Sequence, residues 1–296
     1  MSDLRRAVVW LAVLLAIVVA GDHLAATALH QLLVRSQFRY SRLYRGGNDA
    51  DILILGDSRG VHSFYAPALA ELTGLRVLNL SYNSMSPHVS EVVLLDYLDH
   101  NRAPRVVVIE ATSVITTGAV VGELRTYGSL SPRVAALYAR DHPAAAAASR
   151  LFWLYPLNSG FFLEALHYTR RSDQDWIYHD VIPPALRVSR GGWRLAPHPE
   201  EVDALVRIVH LVQQRGIEVR VVFAPYAPLN LPSNAAQFVA LIERRTGVRV
   251  WNYVDAVRDL DGFADGVHLN ERGSRELLGM LVRDGAFGMA RTPTRF

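Results

Sequence analysis

Ile52-Leu53-Ile54-Leu55-Gly56-Asp57-Ser58-Arg59 is the stretch that decides the fold of this chain. Four consecutive apolar residues show no polar alternation, so both faces of the segment must be covered, as in a parallel strand between two layers of helix. Gly56 ends the run, and a helical pattern follows over residues 61–73, closed by Gly74. Outward from here the same pairing recurs. Apolar runs at 76–80, 105–110, 218–224 and 248–251 alternate with helical spacing over 87–101, 200–215, 234–246 and 272–282. Strands alternating with helices predict an α/β fold with a doubly wound, parallel, five-stranded sheet. Sites in such sheets form beyond the carboxyl ends of the strands, and Ser58 falls there, just after the first strand.

A serine hydroxyl needs a base to become a nucleophile. A strand-to-helix turn exposes it and aims the first amides of the helix at the same point, where negative charge would develop. The plainer reading is that Asp57-Ser58 only caps the following helix. A second string, Asp265-Gly266-Val267-His268-Leu269-Asn270, tips the balance. His268 can take the serine proton, while Asp265, three residues before it, can hold the ring tautomer and stabilise the imidazolium. The alternative for this string is a turn with an exposed histidine, which leaves its pairing with Gly56-Asp57-Ser58 unexplained. Asn270 is placed to cap the closing helix.

The 296 residues suffice for one large domain or two small ones. The net charge is +3, and the arginines are scattered rather than gathered into a stripe, which gives no nucleic-acid signature. Cysteine is absent, so neither a disulfide framework nor a thiolate metal site is available. His62, His88, His198 and His210 show no metal-ligand spacing, and no metal or cofactor is expected. At the N-terminus, Arg5-Arg6 precedes a charge-free apolar run over residues 7–21, and helical character continues to Val34. This reads as a signal anchor spanning the membrane. A cleaved signal peptide cut after Ala20 and a buried core helix are the alternatives. Arg35, Arg39, Arg42 and Arg45 follow the run and oppose the orientation set by Arg5-Arg6 if counted naively. More weight falls on the flanking pair, which places the main domain outside the cytoplasm.

The expected organisation is an anchor over residues 1–34, a connector over 35–50, the α/β domain over 51–285 and a tail over 286–296. Residues 114–199 break the strand–helix alternation. They hold Trp153, Trp176 and Trp193 with many prolines and read as an inserted helical cap. Its aromatics are expected to form cap core rather than ligand contacts.

Gly56-Asp57-Ser58 after the first strand, with Asp265-x-x-His268-Leu269-Asn270-x-x-Gly273 before the last helix, resembles the SGNH (GDSL-type) hydrolase superfamily over about residues 51–281. The resemblance implies a flavodoxin-like fold, with Ser58 as nucleophile, His268 as base and Asp265 as its orienter. It also implies three oxyanion donors, the first being Ser58 itself. Where that family has a donor glycine after the second strand, this chain has Ser84 in Asn79-Leu80-Ser81-Tyr82-Asn83-Ser84. Where it has Gly-x-Asn-Asp after the third strand, this chain has Glu110-Ala111-Thr112-Ser113. Asn83 or Thr112 is then the candidate for the missing donor. The departures, with the N-terminal segment, resemble membrane-anchored proteins of alginate O-acetylation and teichoic acid D-alanyl transfer. That branch implies a single-pass protein of the cytoplasmic membrane, facing the periplasm or extracytoplasmic space, acting on a polysaccharide or acyl-ester substrate beside a multi-pass membrane O-acyltransferase. Arg59 is a candidate for holding an anionic group on a substrate. An ordinary first-turn arginine, or an ion pair with Glu91 or Glu110, is the favoured alternative for it. An esterase or deacetylase, or a weakly catalytic accessory subunit, fits the same residues as the transferase.

Overall fold

A computed structural model describes residues 3–118, 120–188 and 191–288. Five strands, β1 (Ile52–Leu55), β2 (Val77–Asn79), β3 (Val106–Glu110), β4 (Glu218–Phe223) and β5 (Val250–Asn252), form one sheet in the order β2-β1-β3-β4-β5. Every pairing is parallel, with Ile52 opposite both Val77 and Val106. This is the flavodoxin-like order, whose switch point lies between β1 and β3. All residues of β1 and β3 are buried, as their unbroken apolar runs require. Ile52, Ile54, Val106, Val108 and Val222 pack on one face against Phe64, Leu69, Leu277, Leu278 and Leu281 from the helices beside them. The sheet and its crossovers are therefore the predicted ones.

Local chemistry explains where the elements differ from the sequence reading. The helix expected over 61–73 is two helices, Ser58–Ser63 and Ala66–Thr73. Pro67 sits in the first turn of the second and has no N–H to continue a ladder from the first. The Tyr65 amide, left at the break, donates instead to Ser274 Oγ at 3.1 Å. The region expected to be a connector contains the helix Arg39–Arg45, in which Tyr40, Leu43 and Tyr44 are buried.

The chain divides into two compact units. One comprises Met1–Arg45 with Val121–Arg171, and the other Gly46–Val120 with Ser172–Phe296. Of the stretch expected to form a cap, residues 121–171 fall in the first unit, and residues 114–120 and 172–199 in the second. In the first unit the helix Asp3–Arg35 is apolar and long enough to cross a membrane, with mean hydropathy 2.2 in its apolar window and none of that window buried. Its C-terminal end is held by packing: Leu33 and Ala26 are buried, and Arg45 donates to the carbonyls of Arg35 and Ser36. Tyr40 stacks on Phe161 of the helix Gly160–His167, with ring centroids 4.9 Å apart. The expected tail begins with Ala286 and Phe287, both buried in the sheet unit, and lies outside the described residues from 289 onward.

Candidate active site

The polypeptide turns sharply after β1. Asp57 takes the cap position of the helix Ser58–Ser63, its Oδ1 accepting from the Arg59 amide at 2.9 Å. Its Oδ2 accepts from Thr116 Oγ1 at 3.3 Å. The cap therefore falls on Asp57, which leaves the Ser58 hydroxyl to project from the turn. Asn79 at the end of β2 fixes this helix from below. Its Nδ2 donates to the carbonyls of Gly60 and Phe64, both at 3.0 Å, while its Oδ1 accepts from the Ser81 amide at 2.9 Å. The approach is close, for a Cβ on Gly60 would stand 2.5 Å from Ser81 Oγ.

The second string forms a loop pinned at both ends. Phe263 and Leu269 pair as an antiparallel bridge, and the Ala264 amide donates to the His268 carbonyl at 3.0 Å. Asn270 caps the closing helix Glu271–Arg283 by accepting from the Gly273 amide at 3.1 Å, and its Nδ2 reaches the Asp261 carbonyl at 2.8 Å. Gly273 is required because a side chain there would collide with the Gly262 carbonyl.

Between the two strings runs an unbroken relay. His268 Nε2 lies 2.8 Å from Ser58 Oγ, and His268 Nδ1 lies 2.8 Å from Asp265 Oδ2. Asp265 Oδ1 accepts from the amides of Val267 and His268 at 2.8 and 2.9 Å, so the carboxylate shapes the loop as well as facing the ring. Partial burial pushes the Asp265 carboxyl up, but the hydrogen bonds from His268 and the loop amides outweigh it and hold the group at about 2. Asp265 is therefore ionised throughout the neutral range. With Nδ1–H given to Asp265, Nε2 faces the serine as an acceptor.

The Arg59 guanidinium is buried and turned toward groups of the protein itself. Nη1 donates to the Val267 carbonyl at 2.7 Å, Nη2 donates to the Ala224 carbonyl at 2.6 Å, and Nε faces Glu110 Oε1 at 3.5 Å. The cation also lies 3.6 Å from the centroid of the Tyr226 ring. Of the two ion pairs weighed from the sequence, the one with Glu110 forms, while Glu91 pairs with Arg207. Arg59 thus ties the first turn of the helix Ser58–Ser63 to the loop that carries His268, and to the backbone just after β4.

Thr112, one of the expected oxyanion donors, turns its donors inward. It is fully buried, and both its amide and its hydroxyl donate to Glu110 Oε2, at 2.8 and 2.6 Å. Burial pushes the Glu110 carboxyl up to about 7, against the pull of Arg59 and the Thr112 bonds. Ser84 and Asn83 are exposed on the loop after β2. Ser84 has φ of 57°, the only positive value at a non-glycine residue among those described. The position where the resembled family has glycine therefore keeps the backbone conformation that glycine favours.

The sequence reading missed an aromatic wall beside His268. His62 stacks on Tyr178 with centroids 3.9 Å apart, and its ring lies nearly perpendicular to both His268 at 5.4 Å and Trp176 at 5.7 Å. Trp176 in turn meets Tyr82 at 5.6 Å. Trp176 and Tyr178 lie in the stretch whose aromatics are expected to form cap core. Both belong to the sheet unit and are partly exposed. Their sequence signal was the spacing of two aromatics about a buried Ile177, which marks an extended segment with one face inward. Elsewhere, His88 Nδ1 lies 2.5 Å from Glu201 Oε1, an interaction that the sequence did not suggest. No cluster of metal-ligating side chains occurs among the described residues.

No protein-family model matches this chain, and no curated protein does. Among solved structures it is similar to one described as "a putative platelet activating factor from Streptococcus pneumonia", with 14% identity and a TM-score of 0.42. The alignment covers 88% of this chain and 98% of the other. A likeness at that level bears on neither activity nor substrate.

Proposed function

We propose that this protein is a membrane-anchored, extracytoplasmic SGNH-type serine O-acyltransferase that acylates a cell-envelope polysaccharide or exopolysaccharide. The observation that carries the reading is the Ser58–His268–Asp265 relay, with both links at 2.8 Å. Ser58 Oγ attacks the carbonyl carbon of an acyl ester as His268 Nε2 takes its proton. The carbonyl oxygen becomes an oxyanion, and the ester bond then breaks as the same proton passes to the departing alcohol. The product is an acyl-serine. A sugar hydroxyl next gives its proton to Nε2 as it attacks the acyl carbon, and that proton passes to Ser58 Oγ as the acyl–serine bond breaks, leaving the sugar ester and the free serine. Asp265 stabilises the imidazolium in both halves. The Ser58 and Ser84 amides are the candidates for the oxyanion, with Asn83 beside them.

Two further observations support the polysaccharide and the membrane. Aromatic faces such as those of Trp176, Tyr178 and Tyr82 suit the C–H faces of a pyranose ring. The apolar helix Asp3–Arg35 suits an anchor, with Arg5-Arg6 on the cytoplasmic side. A multi-pass membrane O-acyltransferase is the partner this reading implies as acyl donor. A hydrolytic version differs only in that water replaces the sugar hydroxyl. The withdrawal of Thr112 favours a third version, an accessory subunit with a slow site.

The test is turnover of an aryl acetate by the full chain, with and without an oligosaccharide acceptor. Ser58→Ala is expected to lower kcat by about 10⁴-fold or more. Turnover that survives this change overturns the assignment. Acetyl label recovered on the oligosaccharide supports transfer, and label recovered only as free acetate supports hydrolysis.

A further inference from the structure

The anchor helix carries an unusual attachment where its apolar run ends. Residues 7–21 are free of charge, and at 1.5 Å per residue they reach only about 22 Å, short of the roughly 30 Å hydrocarbon core. A short span draws its flanking groups toward the membrane boundary. The flanking residues are Asp22 and His23, and the turn at 151–154 satisfies both. Asp22 accepts from the Trp153 amide at 2.6 Å and the Leu154 amide at 3.3 Å. His23 Nε2 lies 3.2 Å from the Leu151 carbonyl, and its ring stacks on Trp153 with centroids 4.1 Å apart. These contacts fix the turn at the height of residues 22–23 on the helix.

That turn is strongly apolar and uncovered. Leu151 is 56% exposed, Phe152 37%, Trp153 49% and Tyr155 41%, and the exposed Arg150 precedes them. Tryptophan and tyrosine concentrate at membrane–water boundaries, where an amphipathic ring meets both media. The apolar stretch of the anchor is itself exposed along its length, so one apolar medium can cover both surfaces.

We propose that residues 151–155 form an interfacial seat, lying in the headgroup region of the lipid bilayer beside the anchor. The inference rests on the anchor reading above. The seat restrains the first unit through two contacts, the helix and the turn, rather than leaving it to swivel on one span.

The chain has no cysteine, so single spin labels can be placed in the full protein at Val13→Cys, Phe152→Cys and, as an aqueous reference, Gln214→Cys. Tyr155→Cys repeats the measurement should the label at 152 disturb folding. The protein is reconstituted in vesicles of phosphatidylethanolamine and phosphatidylglycerol, and collision with oxygen is compared with collision with a water-soluble nickel chelate. The expected result is a label at 13 deep in hydrocarbon, with labels at 152 and 155 several-fold less accessible to nickel than at 214. A deep label at 13 with labels at 152 and 155 as accessible as at 214 overturns the seat and leaves the anchor standing. An aqueous label at 13 overturns the anchor reading and the seat with it. Labels at 152 and 155 shielded in native membranes but aqueous in the vesicles would mean that a membrane protein covers the turn, which also overturns the proposal.

Discussion

The two sides of the candidate site are built on different terms. On the base side, side chains do the work: His268 and Asp265 are named residues on a pinned loop, with each relay link at 2.8 Å. On the oxyanion side of the proposal, Thr112 gives both its donors to Glu110, which leaves the amides of Ser58 and Ser84, with Asn83 beside them, as the candidates. The contrast shows that side-chain chemistry leaves a residue signature, whereas backbone chemistry leaves a conformational one. Ser84 illustrates the second kind, with glycine-like φ at a serine.

The base side offers the largest effect. Asp265→Asn keeps an acceptor for the loop amides but presents the wrong partner to Nδ1, so kcat for an aryl acetate is expected to fall by about 10⁴-fold. A loss of less than about tenfold would place the orienting role elsewhere. Next comes the link between the sides. Arg59→Lys keeps a charge near Glu110 but loses the fork that holds the Val267 and Ala224 carbonyls. Displacing the base loop by a fraction of an ångström should lower kcat by about 10- to 100-fold with little change in KM. A change in KM alone would return Arg59 to substrate binding.

The pair beneath the site makes a prediction about pH. Glu110 is held near 7 in the folded chain against its ordinary value of 4.5. Over that window the folded state keeps a proton that the unfolded chain releases, so stability should fall as pH rises from about 4.5 to about 7. Glu110→Gln removes the titrating group, and thermal melts across the window should then lose that component of the slope. An unchanged slope would show that another group sets it. The smallest effect is expected on the oxyanion side. Removing a true oxyanion donor costs about 10²- to 10³-fold in kcat, whereas Thr112→Val should change kcat by no more than about threefold. Its cost should appear in stability, since Glu110 loses one hydrogen bond worth roughly 1–3 kcal/mol. A hundredfold fall in kcat would restore Thr112 to the oxyanion set.

The sheet was legible because buried parallel strands such as Ile52–Leu55 cannot be mistaken for amphipathic ones, and each is followed by a helix. The relay was legible because its chemistry needs particular residue types at the ends of those elements. Other features were not. The broken helix at Phe64-Tyr65 depended on one proline and on a distant hydroxyl at Ser274. The commitment of Arg59 depended on carbonyl oxygens, which every residue has and no sequence pattern marks. The aromatic wall was hidden because Trp176 and Tyr178 sit in a stretch rich in aromatics, most of which do pack inward. Composition alone does not separate the few that face the site from the rest.

The link between Ser58 and His268 joins residues 210 positions apart. As the chain grows, Ser58 emerges early, and His268 follows only after most of the remaining length. All five strands precede His268 in the sequence, so the contact cannot form before the last of them has been made. On the proposed reading, a nascent chain, or a fragment cut short before the closing loop, carries the serine without its base. Reactivity toward an ester would then report a chain that has closed its sheet.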